Sequence, residues 1–153
     1  MTTEHSNADV MREFFGAFGA ADRDKLADLC ASEMRWTVPG SSPISGTFVG
    51  VDGLLDGIRA IAMTLGQGIN GFELLEVYAN DHSAVTIHRD FSTDPEHPFD
   101  QRYVLFVTFQ DGRIALVHEV PFDQAASDGF WAERAASFAR AHASRGCLGQ
   151  RSG

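Results

Sequence analysis

The segment QRYVLFVTFQDGRIALVHEVPFD, residues 101–123, decides the fold of this chain. Its β-branched and aromatic residues form two runs, and Asp111-Gly112 between them is typical of the turn of a β-hairpin. Two further runs of the same kind lie upstream, on either side of Asn80-Asp81. Together these patterns predict four long antiparallel strands, at 71–79, 83–91, 99–110 and 113–121.

Helices are predicted on both sides of these strands. Apolar residues at helical spacing indicate a helix over 8–20, a short second helix capped by Asp22, and a third helix from Leu54 to Leu65. An alanine-rich segment predicts a last helix over 124–143, and Met34–Val38 predicts a short extra strand. Helices followed by a meander of strands indicate the α+β class, with a bent, mostly antiparallel sheet packed against the N-terminal helices.

The composition is that of one globular domain. The chain has 153 residues, 44% of them apolar, and its 12 Lys+Arg against 21 Asp+Glu give a formal charge of −9. This length predicts a single domain over 1–143 and a flexible tail at 144–153. An acidic chain without a basic cluster does not favour nucleic acid as a partner. The N-terminus MTTEHSNADV has no secretion signal and no segment could span a membrane, so we expect a cytoplasmic protein without a membrane partner.

The aromatic residues are strongly biased towards phenylalanine. The chain has 12 Phe, two Trp and two Tyr. A phenyl ring needs no hydrogen-bond partner, so this bias favours a dry interior. Such an interior is either a packed core or the wall of a pocket, and a packed core is the commoner outcome.

The order of these elements and several short motifs resemble the SnoaL-like branch of the nuclear transport factor 2-like superfamily. The motifs are RWTVPG at 35–40, FVGVDGLLDGI at 48–58 and the hairpin quoted above, and the resemblance covers 8–125. It implies a cone-shaped α+β barrel in which helices and a curved sheet enclose one pocket. The family includes polyketide cyclases, limonene epoxide hydrolase-like enzymes, ketosteroid isomerases and binding proteins.

Strand 83–91 presents two ionisable side chains on one face. Because side chains alternate along a strand, His88 and Asp90 point the same way, about 7 Å apart. Periodicity alone favours the solvated face of a half-buried sheet. Limonene epoxide hydrolase-like members carry Arg-x-Asp on the corresponding strand, so the resemblance implies that Asp90 is catalytic, with His88 in place of the arginine.

The same resemblance implies a second acid at Glu119. Whether Glu119 or His118 faces the pocket depends on the register of the hairpin. A two-residue Asp111-Gly112 turn puts Tyr103 on the face of His118, whereas a three-residue loop that includes Gln110 puts Tyr103 opposite Glu119. We expect the three-residue loop, because it agrees with the inward acid of the family.

These residues suit general acid–base catalysis in a dry cavity. Burial would keep Glu119 protonated as the acid, Asp90 would stay ionised as the base, and His88 would orient it or share its proton. The indole N–H of Trp36 and the hydroxyl of Tyr103 could bind a substrate oxygen. The full set of expected substrate-binding residues is Trp36, Gln101, Tyr103, Leu105 and Val117.

We therefore expect a cofactor-free cyclase, isomerase or epoxide-opening hydrolase that acts on a small apolar metabolite, and the resemblance to polyketide cyclases implies a place in secondary metabolism. The alternative is a non-catalytic domain of the same fold that binds small molecules or dimerises. His88, Asp90 and His118 mimic a facial metal triad, but the expected register turns His118 away, so we expect no metal. Apolar residues on the outer sheet face, among them Ile114 and Val120, predict a homodimer.

Overall fold

The computed structural model of the protein describes residues 5–66 and 69–148. Two helices come first, followed by two strands, a helical segment, four strands and a last helix. The elements are α1 (Ser6–Ala20), α2 (Arg23–Leu29), β1 (Cys30–Val38), β2 (Gly46–Val49), α3 (Gly50–Asp52), a π-helical segment (Gly53–Arg59), α4 (Ala60–Leu65), β3 (Ile69–Ala79), β4 (Ser83–Ser92), β5 (Asp100–Gln110), β6 (Arg113–Pro121) and α5 (Gln124–Leu148).

The six strands form one curved sheet in the order β2-β1-β6-β5-β4-β3. Strands β1 and β6 pair in parallel, and the other four pairs are antiparallel. Helix α1 packs against β3 and β4, α2 packs against β1, and α5 packs against β6 and α4. The α+β class and the cone of helices over a curved sheet are confirmed, and the sheet stays open at its edges, β2 and β3.

Capping residues set the start of α2 and the end of α1. Asp22 caps α2 as predicted, because its Oδ1 accepts a hydrogen bond of 3.1 Å from the backbone N–H of Lys25. Helix α2 buries Leu26 and Leu29, and the chain passes directly into β1 at Cys30. Helix α1 ends at Ala21, which adopts a left-handed conformation with φ of 54°.

The β5–β6 turn differs from the expected one. Asp111 and Gly112 have φ of 52° and 73°, and Phe109 pairs with Ile114. This is the two-residue turn, so the expected three-residue loop with Gln110 is wrong. Two consecutive positive φ angles suit the right-handed twist of the strands, and aspartate and glycine both tolerate them.

A bulge follows this turn within the same hairpin. Thr108 pairs with Leu116 rather than with Ala115, so Ala115 is left unpaired on β6. One extra residue shifts the remaining register by one and exchanges the two faces of β6. Glu119 therefore faces the concave side of the sheet, and His118 is exposed on the other side.

The last helix is longer than expected. It continues to Leu148, past residue 143, and so takes in the start of the predicted tail. The remainder of that tail, 149–153, lies outside the described residues. None of the described helices is long and apolar enough to cross a membrane.

The outer face of the sheet carries exposed apolar side chains. Tyr78, Phe106, Val120 and Phe122 are each about half exposed or more. Ile114, which was expected on this face, is fully buried, because it precedes the bulge and shares the inner face with Phe109.

Ala21 offers a test of how α1 ends. A left-handed backbone strains alanine but not glycine, so Ala21→Gly should raise the free energy of unfolding by about 1 kcal/mol. Ala27 is exposed within α2, and Ala27→Gly should lower it by about 1 kcal/mol. Urea denaturation of both variants measures this, and a loss of stability in Ala21→Gly would contradict the prediction.

Candidate active site

A cavity of about 330 Å³ lies between α1, the helical segment 53–65 and the concave face of the sheet. Its volume is at the lower end of the range for small-molecule sites. The walls are mostly aromatic and aliphatic. The lining residues are Phe14, Phe15, Phe18, Gly19, Trp36, Ile44, Ile58, Arg59, Ala62, Met63, Gly71, Phe72, His88, Asp90, Leu105, Glu119 and Trp131.

The phenylalanines of α1 form part of this wall. Phe18 follows Phe14 by four positions and Phe15 by three, so its ring lies beside both of theirs on the helix surface. Phe18 meets the Phe72 ring of β3 edge-on, with 5.9 Å between ring centroids. Phenylalanines therefore form both part of the core and part of the pocket wall, whereas a packed core alone was the commoner expectation.

Glu119 is held in the cavity wall by an indole. The Nε1–H of Trp36 on β1 donates a hydrogen bond of 3.0 Å to Oε2 of Glu119 on β6. Parallel pairing of the two strands sets Trp36 beside Val117, two residues before Glu119. The Trp36 N–H is therefore engaged by the carboxyl group, rather than free for a substrate oxygen as expected.

Asp90 and Glu119 influence each other's ionisation. Burial raises the pKa of Glu119 to about 7, against the opposing effect of the hydrogen bond from Trp36. Burial and then Coulomb repulsion from Glu119 raise the pKa of Asp90 well above its ordinary value. The hydrogen bond from Trp36 stabilises the Glu119 anion, which favours ionisation of Glu119 before Asp90. The sequence predicts the opposite roles, with Asp90 ionised and Glu119 protonated.

His88 is neutral and enclosed by rings. It stacks on Tyr103 at 5.3 Å and contacts Phe15 at 5.4 Å between centroids. Burial lowers the pKa of His88 to about 4. Its Nε2 is 3.6 Å from Oδ1 of Asp90, longer than a hydrogen bond, and its Nδ1 has no hydrogen-bond partner among the described residues.

Three expected substrate-binding residues do not line the cavity. Tyr103 lies behind His88, where its hydroxyl hydrogen-bonds Ser127 at 3.1 Å, and burial raises its pKa. Val117 is fully buried in the core, and Gln101 borders a polar groove elsewhere. All three lie on strands that contribute to the inner face, but Ser127 of α5 contacts Tyr103, and Val117 is enclosed in the core. Trp36 and Leu105 do line the cavity.

Three of the lining residues that the sequence analysis did not assign to the site are instructive. Trp131 lies in the last helix, where it is one of the few large apolar residues of an alanine-rich segment. Ile44 is the one large apolar residue in the loop GSSPISG at 40–46, which is a signal that it points inward. Arg59 gave no signal, since helical periodicity was counted on apolar residues alone.

No facial metal triad forms around His88, because His118 lies on the opposite face of the sheet. Within the described part of the chain, one group of three metal-ligating side chains comes together, Asp94, Glu96 and His97 in the β4–β5 loop. That group is outside the cavity.

Comparison with known proteins agrees with this architecture. Residues 11–117 match the SnoaL-like domain. An uncharacterized protein of Mycobacterium tuberculosis is 30% identical over 131 residues, which is 85% of this chain and 99% of the relative. The structure of Bal32a, from a soil-derived mobile gene cassette, superposes with a TM-score of 0.72 at 27% identity and covers 82% of this chain and 95% of its own. An NTF2-like protein from Burkholderia xenovorans LB400 superposes with a TM-score of 0.64 at 18% identity and the same two coverages.

The raised pKa of Glu119 makes stability depend on pH. The folded chain holds this proton more tightly than the unfolded chain, whose glutamate has a pKa of 4.5. The corresponding stabilisation is complete below about pH 4.5 and is lost as pH rises through about 7. Glu119→Gln should therefore raise the free energy of unfolding at pH 8 by about 2 kcal/mol and change it little at pH 5.

Urea denaturation at both pH values measures this difference. Glu33 is an exposed acid on β1, and Glu33→Gln serves as the control that should change neither value. Equal effects of Glu119→Gln at the two pH values would show that the carboxyl group is ionised throughout.

Proposed function

Because the chain belongs to the SnoaL-like domain family of the nuclear transport factor 2-like superfamily, we propose that it is an acid–base enzyme that needs no cofactor and acts on a small apolar metabolite. The family includes isomerases and cyclases. The observation that carries the proposal is the pair of carboxyl groups, Asp90 and Glu119, in the wall of an apolar cavity. Burial and mutual repulsion keep one of them protonated at neutral pH, while the other can ionise.

We assign the base to Glu119 and the acid to Asp90. With a pKa of about 7, Glu119 is both available as a carboxylate and strong enough to accept a proton at neutral pH. Asp90 keeps its proton and donates it or a hydrogen bond to a substrate oxygen. The environment thus separates the roles of two similar groups, as in other carboxyl-pair enzymes.

The two carboxyl groups together remove one proton from the substrate or from water and donate another to a substrate oxygen. Glu119 removes a proton from a carbon next to a carbonyl, or from a hydroxyl or water that attacks an epoxide carbon and breaks its C–O bond. Asp90 protonates the carbonyl or epoxide oxygen as negative charge develops there. Enolisation, aldol closure and epoxide opening all follow this pattern, so a cyclase, an isomerase and an epoxide-opening hydrolase are variants of one function, with a place in secondary metabolism.

Two neighbours position the pair. Trp36 holds one oxygen of Glu119, and Glu119 lines the cavity. Neutral His88, wedged between Tyr103 and Phe15, packs beside Asp90 without supplying a charge that would ionise it. Both contacts favour a fixed geometry in which little reorganisation is needed during proton transfer.

A base-catalysed elimination tests the role of Glu119. 5-Nitrobenzisoxazole is a small apolar ring that opens when a base removes its C3 proton, which breaks the N–O bond and releases a coloured nitrophenolate. The protein should accelerate this reaction with a rate that rises through an apparent pKa of about 7. Glu119→Gln should lower kcat/KM by about 10²–10⁴-fold.

Two variants separate the roles. Asp90→Asn should retain most of the elimination and the apparent pKa near 7, because a neutral amide replaces a neutral acid. Loss of activity in Asp90→Asn with retention in Glu119→Gln would restore the assignment predicted from sequence. Absence of acceleration by the unmodified protein would favour a non-catalytic binding domain, in which each substitution changes affinity by about 1 kcal/mol.

We also propose that the protein is a homodimer formed through the outer face of the sheet. Proteins of this fold often dimerise, and Phe106 and Val120 expose apolar surface there. Light scattering at micromolar concentration should give twice the monomer mass, and the double substitution Phe106→Asp and Val120→Asp should give a monomer with unchanged secondary structure. A monomeric unmodified protein would exclude this dimer.

A further inference from the structure

The wall of the cavity holds one positively charged side chain among the described residues, Arg59. It lies at the end of the π-helical segment Gly53–Arg59. The other polar side chains of the wall, His88, Asp90 and Glu119, are neutral or acidic and belong to the sheet. The cavity therefore has two polar regions of different character.

Arg59 has unused hydrogen-bonding capacity. Its Nη2–H donates to the backbone oxygen of Gly19 over a long distance of 3.4 Å. Within the described residues no carboxylate lies within ion-pair distance of it, whereas Arg23, Lys25 and Arg89 each have an acidic partner. A guanidinium has five N–H donors, so most of those on Arg59 are available to an anion.

Arg59 and the carboxyl pair lie on different walls of the cavity, Arg59 on the helical segment and Asp90 and Glu119 on the sheet. Met63, one helical turn after Arg59, is 61% exposed, so the cavity is open beside Arg59. Leu105, which pairs with Glu119, is fully buried. Phenylalanine rings of α1 and β3 complete the wall.

The position of Arg59 is fixed by close packing of its helical segment. Gly53 and Gly57 lie against Phe48 of β2, where a Cβ would come within 2.9 and 2.6 Å of Phe48 atoms. The segment therefore cannot move towards β2, and Ile58 and Arg59 are held at the cavity. π-Helical turns are rare and occur frequently at functional sites.

We propose that Arg59 binds an anionic group of the substrate, and that the substrate is an apolar organic acid with a single carboxylate. This inference rests on the proposed function and specifies its substrate class. A protein with a formal charge of −9 repels anions in general, so an anionic substrate needs a specific positive contact. Arg59 provides this contact on the helical wall, and the apolar part of the molecule then lies among the phenylalanines.

The competing interpretation is that Arg59 only covers apolar surface with its aliphatic stem. In that case the cavity would not distinguish a carboxylate from a neutral amide of the same shape. 4-Phenylbutanoate and 4-phenylbutanamide form such a pair. Trp36 and Trp131, the two tryptophans of the chain, both line the cavity, so their fluorescence reports binding directly.

The unmodified protein should bind the acid about tenfold more tightly than the amide, as one charge-assisted contact at a partly exposed site predicts. Arg59→Gln should abolish this preference, and the variant should still bind the amide, which shows that the cavity is intact. Arg59→Lys should retain part of the preference. Arg113 is exposed at the β5–β6 turn, and Arg113→Gln is the control for the loss of one positive charge.

Equal affinities of the unmodified protein for acid and amide would overturn the inference, as would an acid preference that survives in Arg59→Gln. Neither result affects the catalytic proposal, which the elimination assay tests with an uncharged compound. Conversely, an Arg59-dependent acid preference in a protein without elimination activity would support the binding role of Arg59 and remove the catalytic role of Glu119.

Discussion

The site depends on the two-residue period of side chains along β6. After the tight turn, the unpaired Ala115 shifts the pairing of β6 by one residue relative to a regular hairpin. This shift turns Glu119 towards the cavity. Without the bulge, the same turn would present His118 to the cavity and Glu119 to solvent. The carboxyl pair, its raised pKa values and the hydrogen bond from Trp36 all follow from this one irregularity.

The chemistry arises from enclosure rather than from special residue types. Neither carboxyl group of the pair has a cation against it, and aromatic walls remove most of the water that would stabilise their anions. A single indole N–H then distinguishes the two groups. Arg59 lines the same cavity but does not contribute to the pKa shift of either group.

Alternation and turn residues were sufficient to predict the α+β class, the four long strands and a shared face for His88 and Asp90. That this face is the inner one was implied by the family resemblance and not by periodicity. The orientation of Glu119 was also predicted, but from a different register, because the sequence around Ala115 gives no sign that a bulge will compensate for the tight turn. Strand alternation shows which face of the sheet a side chain lies on, but not whether other side chains cover it. Tyr103 and Val117 were therefore expected in the cavity, although both are buried in the core. Arg59 was missed because its helix was interpreted only through its apolar stripe.

The parallel pairing of β1 with β6 has a consequence for how the protein folds. The hydrogen bond between Trp36 and Glu119 joins residues 83 positions apart in the chain, whereas β3 to β6 pair through short hairpins or one loop. Closing so long a loop is entropically unfavourable until other contacts exist, so the meander should form first and β1 should dock late. During synthesis α1 can therefore pack as soon as β3 and β4 have formed, whereas β1 has no partner in the meander until β6 has been made.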